Sequence, residues 1–279
     1  MGKHIIRVIF TWLSMLAPAT LYAVPGALEI YHFPYSYFIN QYIRPYTILG
    51  ERYEIVNTVV DYQGLKRDQA WSGFMVKLAK ASNARIVTAD LDDRKAFWIN
   101  TYNALILNTV VENYDVCRRR GVDAVPGVWT IPHPIGRTAY SLQNIENILR
   151  TIDYDPRVFL AICQGARSSP PIFMTTYNPT GLENQLETIS NNFCNTPSNF
   201  SIDTADNTIH ITEYFDQHAP DFDTIYTVIP SQLSGYPTRL QPVLAFIMPR
   251  LSTQQREYIN TRKPKVVLDP FNWSLNEGR

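Results

Sequence analysis

Phe97-Trp98-Ile99-Asn100-Thr101-Tyr102-Asn103-Ala104 opens an apolar run, Ala96 to Tyr114, that contains neither Gly nor Pro. Within it Phe97, Trp98, Tyr102, Leu105, Ile106, Thr109, Val110 and Tyr114 recur at helical spacing, the pattern of a largely buried helix. Asn100 and Asn103 stand one turn apart and share a side of that helix. Asn is a weak helix former, and a buried carboxamide must find hydrogen-bond partners. Two readings follow. Either the amides tie neighbouring loops to the helix, or they face a pocket and orient a ligand.

Outward from this stretch, the chain reads as mixed helices and strands without a regular alternation. Towards the N-terminus, Tyr37 to Ile43 has helical spacing, and Glu54 to Tyr62 is rich in the β-branched residues of a strand. Asp68 caps an amphipathic helix that carries Trp71, Phe74 and Leu78, and Asp92-Asp93 suit the first turn of the Trp98 helix. Beyond that helix, Cys117 to Pro134 reads as a looser stretch, with Arg118-Arg119-Arg120 as a solvated turn and Val128 to Ile131 as a short strand. Ser141 caps a helix from Leu142 to Leu149, with Asn144 at the capping-box position. The apolar run Val158 to Cys163 reads as a buried strand that empties into the loop Gln164-Gly165-Ala166-Arg167-Ser168-Ser169-Pro170-Pro171. A helix from Leu182 to Phe193 follows. Then comes a hairpin of Ser201 to Thr204 and Thr208 to Thr212, turned at Asp206-Asn207. Val266 to Leu268 is a last strand. Helices gathered early and strands spread late predict an α+β fold. The expected form is a single domain, with helices packed on a small, mainly antiparallel sheet.

The chain has 279 residues, is 45% hydrophobic and carries net charge +0, which gives no electrostatic case for nucleic acid or an anionic membrane surface. Lys3, His4 and Arg7 precede an uncharged, mostly apolar stretch from Val8 to Leu28 with small residues at Ala17, Ala19 and Ala23. This has the regions of a secretory signal peptide, with residues 1–23 removed after Ala23; an uncleaved anchor is the alternative. The expected organisation is a signal peptide over residues 1–23, an N-terminal helical extension over 24–54 and the main domain over 55–279. The mature chain would have no stable transmembrane span and would be secreted or periplasmic. Removing Lys3 and Arg7 leaves 23 basic against 25 acidic residues, net −2. Cys117, Cys163 and Cys194 permit one disulfide or none in an exported chain.

From Lys95 to Ala104 the sequence resembles the signature of the family called domain of unknown function 547 (DUF547). The resemblance continues in order through Val60-Asp61-Tyr62 and Leu65, Tyr140-Ser141-Leu142 with Ile145-Glu146 and Leu149-Arg150, and Asp155-Pro156-Arg157. It extends through Gly165 to Pro171, Phe215 with Asp221-Phe222, and Asn272-Trp273-Ser274-Leu275-Asn276. Two positions depart from the family pattern. Ser169 stands where Cys often precedes the Pro pair, and Asn147 stands where His often follows the Ile-Glu of a helix that is here one residue shorter. A thiolate and a His base would form a nucleophilic dyad, and both parts are replaced.

No phosphate loop, dinucleotide fingerprint, paired-His metal helix or nucleophile elbow is present, and no cofactor or metal is expected. Two functions remain. The first is a non-catalytic binding or scaffold domain, whose polar pocket of Asn100, Tyr102, Asn103, Arg167 and Ser168 receives a small molecule or peptide. The second is a hydrolase- or transferase-like enzyme on the Arg167–Ser169 loop. There Ser169 (or Ser168) would be the nucleophile and His133 the base. Glu146 would hold Arg167 or move a proton.

Overall fold

Twenty-two residues of helix set the frame. The structure, a computed structural model, describes residues 26–49 and 54–278. The expected signal peptide, residues 1–23, lies outside the described residues. The Trp98 helix runs from Leu91 to Glu112, and every residue from Lys95 to Leu107 is buried. A helix apolar on all sides must be wrapped by other elements, and four surround it. These are α1 (Glu29–Tyr42), α2 (Tyr62–Arg67), α6 (Tyr114–Arg120) and α7 (Leu142–Ile152), with the Trp98 helix as α5. Asp92 and Asp93 occupy its first turn, where negative charge complements the helix dipole.

Helix α1 lies along α3 (Gln69–Ala79): Tyr35 stacks on Phe74 at 5.7 Å, and Phe38 meets Trp71 edge-on at 5.0 Å. Asp68 caps α3 by accepting from the Ala70 N–H, and Ser82 caps α4 (Asn83–Thr88) in the same way at Arg85. On α7, Ser141 accepts from the Asn144 N–H while the Asn144 carboxamide accepts from the Ser141 N–H, a reciprocal box built with Asn rather than Glu.

Among the described residues, strand content is divided among three small sheets. β1 (Ile43–Leu49) and β2 (Glu54–Val60) form an antiparallel hairpin. So do β3 (His133–Ile135) and β4 (Thr138–Tyr140). β5 (Phe200–Asp203) pairs antiparallel with β6 (Thr208–Thr212), which pairs parallel with β7 (Lys265–Asp269). The short helix α8 (Arg157–Leu160) and the longer α9 (Leu182–Asn195) bridge the α5 core to a second core. That second core gathers Phe193, Ile211, Phe215, Phe222 and Phe246 from α9, β6, α10 (Glu213–Gln217), α11 (Ala219–Asp223) and α12 (Gln241–Ile247). Helix α13 (Thr253–Arg262) precedes β7. The terminal segment then returns to the first core. The Val60 and Arg167 N–H groups donate to Asn276 O and Ser274 O, and Asn276 donates to Gly165 O. The result is one α+β domain with mainly antiparallel, small sheets.

Several local expectations change. Val158–Cys163 is not a strand: its first half is α8, and the rest is irregular backbone held by a side chain described below. Val128–Ile131 is a turn, closed by Thr130 and Ile131 N–H groups on Gly127 O. The three arginines form the last turn of α6, where cations suit the carbonyl end. In the expected helical extension over 24–54, the described residues form α1 and then strand β1, because Ile43–Leu49 pairs along its length with β2. All three cysteines are buried free thiols.

Candidate functional site

Asn100 and Asn103 project from α5 into two segments that lack regular secondary structure. The Asn100 Nδ2 donates to Tyr177 O at 2.8 Å, and its Oδ1 accepts from the Tyr177 N–H at 2.9 Å. Asn103 repeats the arrangement, with Nδ2 to Ala161 O at 2.9 Å and the Cys163 N–H to Oδ1 at 2.8 Å. Each carboxamide thus replaces the ladder partner that a strand neighbour would supply. Tyr102, on the same turn, donates to Glu146 Oε1 of α7 at 2.8 Å. Burial first, and the adjacent carboxylate second, push this phenol well above its ordinary range. On the N-terminal side of the seam, the His32 Nε2 lies 3.2 Å from Thr101 Oγ1, and its ring meets Phe97 edge-on. Burial lowers His32 to about 3, so it is neutral at any ordinary pH.

Cys163 lies at the centre of the next layer. The Gly165 N–H lies 3.3 Å from Sγ, Ser169 Oγ lies at 3.4 Å and Asn276 Nδ2 at 3.5 Å. Burial nevertheless raises this thiol above its ordinary value, with the three polar neighbours opposing it. A protonated, enclosed thiol is a poor nucleophile. Asn276 is fixed from its other side by the Tyr62 hydroxyl at 2.7 Å. The tyrosines Tyr35 and Tyr177 line the same interior, and their hydroxyls have no hydrogen-bond partner among the described residues.

The residues nominated from sequence fall into separate environments. Ser169 is buried, and its hydroxyl donates to Ala166 O at 2.7 Å, closing the loop on itself. Ser168 Oγ accepts from the Asn272 N–H at 2.9 Å and so holds the terminal segment. The Arg167 side chain is exposed and has no ion pair among the described residues, so it does not meet Glu146. His133 sits on β3 and is buried. Its Nε2 has no partner among the described residues, and it bonds to neither serine. Burial lowers its pKa, opposed by Glu112. Asn100 and Asn103 share the α5 seam, as their spacing requires, while Tyr102 reaches α7. Asn103 meets the Arg167–Ser169 loop through Cys163: it accepts from the Cys163 N–H, and the Cys163 Sγ lies 3.4 Å from Ser169 Oγ.

Sequence reading did not single out the cluster at the far end of α7. There Arg150 donates from Nε to Asp221 Oδ1 at 2.6 Å and from Nη1 to Asn147 Oδ1 at 2.9 Å. The His218 Nδ1 lies 3.1 Å from Asp221 Oδ2, and its ring stacks on Phe159 at 4.6 Å. Burial would raise Asp221, but the bonds from His218 and Arg150 outweigh it and hold the carboxyl below its ordinary value. His218 and Asp221 stand one helical turn apart, a spacing that was readable; their meeting with α7 needs the tertiary fold.

The model of the family described as Protein of unknown function, DUF547, matches residues 88–194. That span runs from the start of α5 to the end of α9 and includes both seam asparagines and the Arg167–Ser169 loop. No curated protein and no solved structure matches the chain.

Proposed function

We propose, on the premise that the chain belongs to the DUF547 family through residues 88–194, that it is an exported binding or scaffold domain without catalytic activity. The observation that carries this reading is the saturation of the signature itself. Asn100 and Asn103 each spend both ends of their carboxamides on the backbone of neighbouring segments. A buried amide held at both its Nδ2 and its Oδ1 end by backbone is fixed in place and stabilises the scaffold. The nucleophile candidates agree with it. Ser169 Oγ donates to a carbonyl rather than to a base, and the Glu146 carboxylate receives the Tyr102 proton donor. Nucleophilic catalysis needs a base in hydrogen-bond reach of the hydroxyl. Export is supported by the basic N-terminus and apolar stretch of the sequence.

Ser169→Ala and Arg167→Ala, compared with the parent on a panel of ester and peptide substrates, test the reading. The expected result is no turnover by the parent or by either variant. Turnover by the parent that Ser169→Ala abolishes would overturn it in favour of the hydrolase or transferase reading.

A further inference from the structure

Strand β2 leaves part of its outer edge open. The Asp61 N–H donates to Tyr42 O across the hairpin at 2.8 Å, so odd-numbered residues here bond to β1. Even-numbered residues of β2 therefore point their N–H and C=O groups away from β1. At Val60 both outward groups are used by the chain's own terminal segment: Val60 N–H to Asn276 O at 3.0 Å, and Gly278 N–H to Val60 O at 3.1 Å. One step back, the Thr58 N–H is taken by the Asn57 side chain at 2.7 Å, and Val56 O meets Asn192 Nδ2 only at 3.5 Å. The outward Val56 N–H and Thr58 C=O have no partner among the described residues.

These two groups border a cleft of about 250 Å³ between β2, the 171–174 segment and α9. Val56, Ile172, Met174 and Ile189 give it an apolar interior and Thr188 a polar rim; Thr58 is buried with its hydroxyl donating to Ile172 O at 3.1 Å, and no charged side chain lines the cleft. Extended chain that adds to a sheet edge gains main-chain hydrogen bonds, and pockets take its alternate side chains. The edge already pairs at Val60 with residues 276–278 in a single parallel β-bridge, and the open groups continue that row.

We infer that this cleft binds an extended, uncharged peptide segment as an added strand on β2. One peptide C=O accepts from the Val56 N–H, one peptide N–H donates to Thr58 O, and an aliphatic side chain enters the space above Ile172 and Ile189. The inference rests on the binding reading above and names its ligand class.

The test is fluorescence polarisation of the full chain with a tagged, capped pentapeptide of alternating serine and leucine. Saturable binding is expected. Replacing the leucines by aspartate abolishes it, because the cleft would have to desolvate a charge. Thr188→Trp, at an exposed position of α9, fills the rim and weakens binding by about tenfold or more. Val56→Pro removes the outward N–H without removing a β1–β2 ladder bond and weakens binding by about fivefold to tenfold, the value of one hydrogen bond. If one variant fails to fold, the other still reads the site. Absence of saturable binding to the folded parent, or equal binding by both folded variants, overturns the inference. Equal binding of a peptide N-methylated at each leucine also overturns it, since a side-chain pocket alone would then suffice. Mass spectrometry of the same incubation separates the two claims. Peptide cleavage contradicts the non-catalytic reading, whereas intact but unbound peptide contradicts only the added strand.

Discussion

The α5 seam and the β2 edge treat backbone hydrogen-bonding groups in opposite ways. In the seam, irregular backbone at Ala161, Cys163 and Tyr177 is buried, and two asparagines supply every bond that a neighbouring strand would have made. At the β2 edge, regular strand backbone is left short of partners beside an apolar cleft. The difference separates two uses of polarity. A polar group buried and saturated specifies a fold, because leaving its partner unmet costs free energy. A polar group at a rim and unmet is available to something else. On that criterion the most recognisable residues of the sequence are engaged in holding the fold, and the proposed peptide surface lies elsewhere.

The largest expected effects break the seam. Asn100→Ala strands the Tyr177 N–H and C=O, and Asn103→Ala strands the Cys163 N–H and the Ala161 C=O. Each variant should lose about 2–5 kcal/mol in urea unfolding, the cost of two buried backbone groups without partners. A loss of less than about 0.5 kcal/mol in either would mean that these amides are not holding buried backbone.

Acid should act on the same side of the molecule. His32 is buried and held to about 3, below its unfolded value of 6.5. A group whose folded pKa is depressed contributes stability that is full above the unfolded pKa. That stability is lost as pH falls from there towards the folded pKa. The window is therefore pH 6.5 down to about 3. Between about pH 7.5 and about pH 5 this one residue should cost about 2 kcal/mol of stability. His32→Phe removes the titrating group, and its unfolding curve should show that much less acid dependence. An identical pH dependence in parent and variant would contradict the assignment.

Smaller effects belong to the loop and the edge. Ser169→Ala loses one bond to Ala166 O and should cost about 1 kcal/mol. Thr188→Trp, on the exposed side of α9, should change unfolding stability by no more than about 0.5 kcal/mol. The seam and the edge would cease to differ if the edge variant proved as damaging as Asn103→Ala.

Much of the fold was legible in the sequence where local rules act. The period of α5, the Ser141–Asn144 box, the Asp68 cap and the β5–β6 hairpin all depend on residues within a few positions of one another. The run Val158–Cys163 was not, because a short apolar stretch has the same composition in a buried strand and a buried helix. What decides it is Asn103, sixty residues before Cys163, which gives the irregular half its bonds. Helix α13 is polar on most sides and carries little periodic signal, so its tertiary contacts define it. The seam asparagines were legible as a pair that needed partners, but not the identity of those partners. The β2 cleft was illegible, since its lining comes from three segments far apart in the chain.

Amide hydrogen exchange at Tyr177 and Cys163, followed residue by residue in the parent, Asn100→Ala and Asn103→Ala, tests the central claim most directly. Both amides should be protected in the parent. Asn100→Ala should release Tyr177 while Cys163 stays protected, and Asn103→Ala should do the reverse. Fast exchange of both amides in the folded parent would contradict the account, because the carboxamides would then be free to serve a ligand.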